Sequence, residues 1–137
     1  MAEPILVKER LGGKYTQAVS TTRDHHFFAD EPVSYGSSDL GPSPFELVSA
    51  GLGACTNMTM RMYIERKGWS VDHLEVKVSH KKVAGGDQPP RDVFVREITI
   101  QGDVDDAQRA RILEIANKCP VHKTLEASSH VETKLNA

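Results

Sequence analysis

Cys55 and Cys119 are the residues of this sequence best suited to chemistry. A thiolate is a nucleophile and a two-electron reductant, and two thiols can be oxidised together to a disulfide. Cys55 ends the run Leu47-Val48-Ser49-Ala50-Gly51-Leu52-Gly53-Ala54-Cys55, which carries no charge. Desolvation in such a run raises a thiol's pKa. Cys55 is therefore either a small inert core residue or a nucleophile that needs an open pocket and a cation, or a helix N-terminus, to favour its thiolate. Cys119 precedes Pro120, and Val121-His122-Lys123-Thr124-Leu125 can start a short new turn with Cys119 at its cap. Free N–H groups at such a cap favour thiolate, and Lys118, His122 and Lys123 bring positive charge nearby in sequence. On the residues alone, a redox pair and two unrelated structural thiols stand level.

Glu46 is the third candidate. In Ser43-Pro44-Phe45-Glu46 it stands three residues after a capping Ser and two after a Pro suited to the first helical position. That role is complete in itself; the alternative is a carboxylate orienting a guanidinium over a thiolate. Nine residues from Cys55 is about 13 Å along a helix axis, so any link needs an intermediary from another segment. The six histidines, at 25, 26, 73, 80, 122 and 130, have no CxxC or HxxxH companion, and the spacing argues against a metal site.

The elements that must position these residues can be read around them. Ile5–Arg10, Tyr15–Thr22 and His25–Ala29 read as three short strands, the first two separated by Gly12-Gly13, and Glu31–Pro44 reads as a loop. A helix beginning at Ser43-Pro44 has no polar face in its first half, which predicts a central, buried helix. Gly51 and Gly53 weaken that helix by up to about 1 kcal/mol each, a cost best explained by another backbone packing close, as in an interlocked dimer. Arg61, Glu65, Arg66 and Lys67 return the helix to solvent, and Gly68 is its natural stop. Leu74–Val78 and Val95–Ile100 alternate as half-buried strands joined through Gly85–Pro90. Asp105 and Gln108 form a second possible capping box, opening a helix that runs to Cys119; Val131, Thr133 and Leu135 alternate as a closing strand. The order predicts an α+β fold and one domain over residues 1–137.

The chain has 137 residues, 39% hydrophobic and 26% charged, which suits one globular domain. A formal net charge of -2 supplies no broad positive field, so nucleic acid and membrane surfaces are not expected partners. The N-terminal residues lack the pattern of a secretory signal, and no run approaches the roughly 20 apolar residues of a membrane span. A cytoplasmic setting follows, in which thiols are kept reduced.

Gly41-Pro42-Ser43-Pro44-Phe45-Glu46-Leu47, Ala54-Cys55-Thr56 and Lys118-Cys119-Pro120-Val121-His122 together resemble the two signature segments of the OsmC/Ohr family. The order of strands and helices is similar over nearly the whole chain. The resemblance implies antiparallel sheets wrapped around a long central helix in an intertwined homodimer, with sites at the subunit interface and no cofactor. It implies a peroxidase of the oxidative stress response. Cys55 would be peroxidatic and Cys119 resolving, with an organic hydroperoxide as substrate and a dithiol, dithiolane or thioredoxin-type reductant. Glu46 matches a carboxylate that pairs with an arginine over the thiolate. The chain departs from the family where that arginine belongs: it has Lys14 after Gly12-Gly13, and Val33-Ser34-Tyr35-Gly36 before the helix. Lys14, Arg23 and Arg61 are the candidate substitutes. The competing reading is a non-catalytic dimer of the same fold that senses oxidation or holds a small apolar ligand.

Overall fold

The computed structural model describes residues 2–136. The chain divides into two compact units, one up to Val48 and one from Ser49 onward.

In the first unit, β1 (Ile5–Glu9), β2 (Gln17–Thr21) and β3 (His26–Ala29) form an antiparallel meander in that order. Val7 faces Val19 across the first pair, and Val19 faces Phe27 across the second. The loop after β3 is held by one side chain. Asp30 is buried, and its carboxylate accepts from Thr16 Oγ1 (2.9 Å), the Glu31 N–H (2.8 Å), the Leu40 N–H (3.1 Å) and the Ser37 hydroxyl. Burial pushes this carboxyl up, but the four donors outweigh burial and lower its pKa to about 2. The loop also contains a short 3₁₀ turn, Val33–Tyr35, closed by Gly36 at φ 84°.

Helix α1 spans Pro44–Lys67, with Gly68 at φ 68° immediately beyond it. Its start is the expected cap: Glu46 Oε1 accepts the Ser43 N–H at 2.9 Å, and the Leu47 N–H bonds the Ser43 carbonyl at 3.0 Å. In the second unit α1 buries Leu52, Gly53, Thr56, Met60, Tyr63 and Ile64. In the single chain Gly51, Ala54, Met58 and Met62 lie exposed on the opposite face of this helix.

The buried face packs on a long antiparallel ribbon, β4 (Ser70–Gly85) with β5 (Gln88–Asp103). Leu74 faces Ile100 and Val76 faces Ile98, so the apolar sides of both strands fall on one face. Met60, Ile64, Val71, Ile112 and Ala116 form the core cluster against it. The expected joining loop Gly85–Pro90 is mostly strand instead. Gly85 pairs with Gln88, leaving Gly86 (φ 64°) and Asp87 as the turn. Pro89 and Pro90 are tolerated in β5 because both strands of a two-stranded ribbon are edges.

Helix α2 (Asp106–Ala116) opens with the full capping box: the Gln108 N–H donates to Asp105 Oδ1 (2.7 Å) and the Asp105 N–H to Gln108 Oε1 (2.8 Å). It ends at Ala116, three residues short of the expected stop at Cys119. Helix α3 (Pro120–Glu126) follows at once. The expected closing strand is absent: residues 128–136 carry no regular element, and Val131 and Leu135 are exposed. Alternation makes a strand only where a neighbour supplies ladder hydrogen bonds, and residues 131–135 have none in this chain.

Candidate active site

The second unit brings the two cysteines together. Cys55 comes from the middle of α1 and Cys119 is the N-cap of α3, with Pro120 at the first helical position. Both are free thiols, and their side chains are near enough for each to shift the other's pKa. Cys119 is 0% exposed, whereas Cys55 is partly open. The Cys119 Sγ accepts the His122 N–H at 3.5 Å, the bond expected of a side chain at a helix cap.

This geometry separates the two thiols electrostatically. Burial pushes the Cys55 thiol up, and its hydrogen bond to Cys119 pushes it further; the Val121 N–H and the Thr59 hydroxyl pull it back only in part. Burial also raises Cys119, but there the bonds from the Cys55 thiol, the His122 N–H, the Thr56 hydroxyl and the Val121 N–H prevail, and its pKa falls below the ordinary thiol value. The two thiols are thus shifted in opposite directions, Cys55 up and Cys119 down.

A cation braces this turn. Arg96 projects from β5 on the same face as Phe94, Ile98 and Ile100, and its Nη1 donates to Thr56 Oγ1 and to the Ala116 carbonyl, both at 3.0 Å. Its Nη2 donates to Asn117 Oδ1 at 2.9 Å and to His122 Nδ1 at 2.9 Å, which makes Nδ1 the unprotonated nitrogen of that ring. The sequence reading missed Arg96. The signal was there, since an arginine stood in the apolar series of an alternating strand.

The substitutes named from sequence have other partners or belong to the first unit. Arg61 Nη1 donates to the Val71 carbonyl at 3.0 Å, a structural bond between α1 and β4. Lys14 and Arg23 belong to the first unit, where the Lys14 ammonium lies 5.3 Å from the Tyr15 ring centroid. Glu46 also belongs to the first unit; its bonds to the backbone and side chain of Ser43 hold its carboxyl below the usual value. Its observed partners are those of a helix cap.

Two hollows lie in the second unit. A polar cavity of about 250 Å³ is lined by Leu52, Arg91, Phe94, Arg96, His122 and Leu125. A more apolar, open groove of about 790 Å³ is lined by Met62, Tyr63, Ile115 and Lys118, together with Thr59, a neighbour of Cys55, and Pro120, which follows Cys119. No helix among the described residues is long and apolar enough to cross a membrane.

Comparison with known proteins identifies the family. The OsmC-like protein family matches residues 36–134. An OsmC-like protein from Mycoplasma pneumoniae superposes with a TM-score of 0.75 at 15% identity, over 92% of this chain and 88% of that one. An osmotic stress induced and detoxification response protein from Psychrobacter arcticus 273-4 gives 0.72 at 21% identity, over 90% and 88%. An organic hydroperoxide resistance protein OsmC from Legionella pneumophila gives 0.70 at 15% identity, over 91% and 89%. No curated protein matches the sequence. The match spans both signature segments and both cysteines, and the α+β fold is shared with the solved structures: the chain belongs to the family of OsmC-like proteins.

Proposed function

We propose that the protein is a thiol-dependent peroxidase that reduces organic hydroperoxides through a Cys55/Cys119 dithiol–disulfide cycle. The observation that carries this reading is the neighbouring pair of free thiols, one partly open and one buried at a helix cap. Cys55 meets the substrate because it is the accessible sulfur. As its sulfur attacks the terminal oxygen of R–O–O–H, its proton passes to the Cys119 thiolate. The S–O bond forms, the O–O bond breaks, and the leaving alkoxide takes a proton from solvent to become R–OH. Cys119 then returns to thiolate and attacks the Cys55 sulfenic acid. A disulfide forms and hydroxide leaves as water. The balance is two thiols and R–O–O–H in, one disulfide, R–OH and H₂O out. An external dithiol, dithiolane or thioredoxin-type reductant restores the thiols. The apolar groove beside Thr59 and Pro120 suits a hydroperoxide with a hydrocarbon tail.

The working unit in this reading is a cytoplasmic homodimer paired through the exposed face of α1. Met58 and Met62 are 61% and 64% exposed there, beside Gly51 and Ala54, a small and apolar surface without a neighbour in the single chain. Glu46, at the start of α1, would act by fixing that helix end.

A second reading has one feature in its favour: burial pushes the pKa of the partly open thiol up, which slows attack and suits a redox sensor without turnover. Stopped-flow oxidation of the reduced protein by cumene hydroperoxide and by hydrogen peroxide, followed by mass spectrometry, separates the two. The peroxidase reading expects fast conversion to a Cys55–Cys119 disulfide, faster with the organic peroxide, no such reaction in Cys55→Ser, and a trapped sulfenic acid in Cys119→Ser. Slow, unselective oxidation of all three proteins would overturn it in favour of the sensor.

A further inference from the structure

Helix α3 has seven residues, none of them buried, and the chain beyond it carries no regular element, yet its N-cap Cys119 is 0% exposed. Arg96 ties this short helix to the ribbon: its Nη2 donates to His122 Nδ1 at 2.9 Å. That bond exists only while Nδ1 is a lone-pair acceptor, since a guanidinium can only donate. A second proton on the imidazole removes it. Turning the ring over restores nothing, because both nitrogens of an imidazolium carry hydrogen. The other three bonds of Arg96, to Thr56, the Ala116 carbonyl and Asn117, end on α1 and at the end of α2 and do not involve α3. They hold the guanidinium in place, so a protonated ring faces an anchored cation and α3 is the part that moves. A new partner stands one turn along the same helix. Glu126 is four residues after His122, on the same side of α3, and both line the cavity of about 250 Å³. The Glu126 carboxylate is exposed and has no hydrogen bond or ion pair among the described residues, whereas Asp92, at the same cavity, is engaged by His80 at 2.8 Å and Lys82 at 3.5 Å.

We propose that His122 is an acid-released latch: protonation of its ring breaks the bond to Arg96, turns the imidazolium toward Glu126 and frees α3, so that the buried Cys119 becomes accessible. His122 joins the two events because it also donates its backbone N–H to the Cys119 sulfur at 3.5 Å. The residue that lets go is the one that closes the turn over the thiol. The charged and titratable groups around it come from every neighbouring element. β5 supplies Arg91, Asp92 and Arg96, and α3 supplies Glu126. β4 supplies His80 and Lys82, both on Asp92; α1 supplies Cys55; and the turn after α2 supplies Lys118, next to the cap. Two arginines line the cavity with the ring, so a third cation there is opposed from β5 and met by a free carboxylate only on α3. The latch governs access to Cys119 and stands or falls independently of the peroxidase reading.

The test uses the full chain carrying Cys55→Ser, in which Cys119 is the remaining thiol. It is taken from about pH 8 to pH 5, the span over which histidines commonly change charge. NMR follows the His122 ring, and the reaction with 4,4′-dithiodipyridine, a disulfide that stays reactive in acid, follows Cys119. Dividing each rate by that of the urea-unfolded chain at the same pH removes the thiol's own pH dependence. The ratio is expected to rise about tenfold or more as the ring gains its proton, the effect of losing one hydrogen bond to a charged group. In His122→Gln, whose amide oxygen accepts from Arg96 but takes no proton, the ratio should stay flat. In Glu126→Gln the rise should move to lower pH. A ring that titrates without the rise, a ring that stays neutral down to pH 5, or an equal rise in His122→Gln overturns the proposal. So does a rise accompanied by loss of the fluorescence of Trp69, which packs against the core and reports unfolding of the whole unit. Should His122→Gln fail to fold, the Cys55→Ser chain decides alone, by whether ring and ratio change together.

Discussion

Gly51→Ala and Gly51→Glu together test whether the open face of α1 is the meeting surface of two copies. A methyl group added at Gly51 meets nothing within 4 Å in the single chain. No steric term then opposes the helix propensity gained, about 0.8–1.0 kcal/mol for Gly to Ala. For a chain of this size that is a rise of about 3 °C in Tm, measured at a dilution where the chain is monomeric. Gly53 is the internal control. Its added methyl would lie 3.3 Å from Val78 Cγ2 and 3.9 Å from the Val76 carbonyl, so the same propensity gain is offset by crowding against β4. Gly53→Ala should change stability little, and the two sites should differ by about 1 kcal/mol.

Glutamate at position 51 keeps most of the propensity gain but places a charge on the apolar face. The isolated chain should remain as stable as the parent while the dimer dissociates, because an unpaired charge buried at an interface costs several kcal/mol. Sedimentation velocity over a dilution series, with urea melts at each end of the series, reads both quantities. A Gly51→Glu protein that sediments as a dimer at the same concentrations as the parent would refute the assignment of this face.

Three further outcomes follow from other parts of the structure. Ile112, which is fully buried in the core between α1, α2 and the ribbon, should cost about 2–5 kcal/mol when truncated to Ala, seen as a lower urea midpoint. Asp30 has its folded-state pKa lowered from 3.8 to about 2, so the stability it contributes is complete above its ordinary pKa and is lost as pH falls from about 4 toward 2. Thermal melts across that window should show an acid limb that flattens in Asp30→Asn, and an unchanged limb would remove Asp30 from that role. In Cys119→Ser, oxidised protein should carry a sulfenic acid on Cys55 that reacts with dimedone, whereas a dimedone adduct appearing instead on Cys119 in Cys55→Ser would reverse the order of the two sulfurs.

Much of the fold was legible because its signals are local. Ser43-Pro44-Phe45-Glu46 and Asp105 with Gln108 set helix starts by capping, and the structure has both. Alternation marked the ribbon but not its length, since residues 79–93 include lysines, glycines and prolines whose strand pairing depends on the facing strand. The same dependence misled at the C-terminus, where Val131, Thr133 and Leu135 alternate but no strand faces them. Asp30 was passed over for a related reason. One aspartate between a strand and a loop looks like turn punctuation, and only the folded loop brings four donors to it.

The site divides along the same line. The location of Cys119 at a cap is a property of Cys-Pro before a helical turn, and the structure has that cap. The upward shift of Cys55 was legible in part, since its largest cause is burial in an uncharged helix, whereas the contribution of a sulfur 64 residues away in sequence was not. Searching for an arginine at the family's positions led to Lys14, Arg23 and Arg61, and of these Arg61, in the second unit, bonds the Val71 carbonyl. The better clue was a conflict within one strand. A charge in the series Phe94-Arg96-Ile98-Ile100 must either turn the strand's face to water or find acceptors inside, and burying a guanidinium unpaired is costly enough to demand them. The acceptors it found are the groups that surround Cys119, which makes a violated strand pattern, rather than a matched motif, the sequence feature closest to the chemistry.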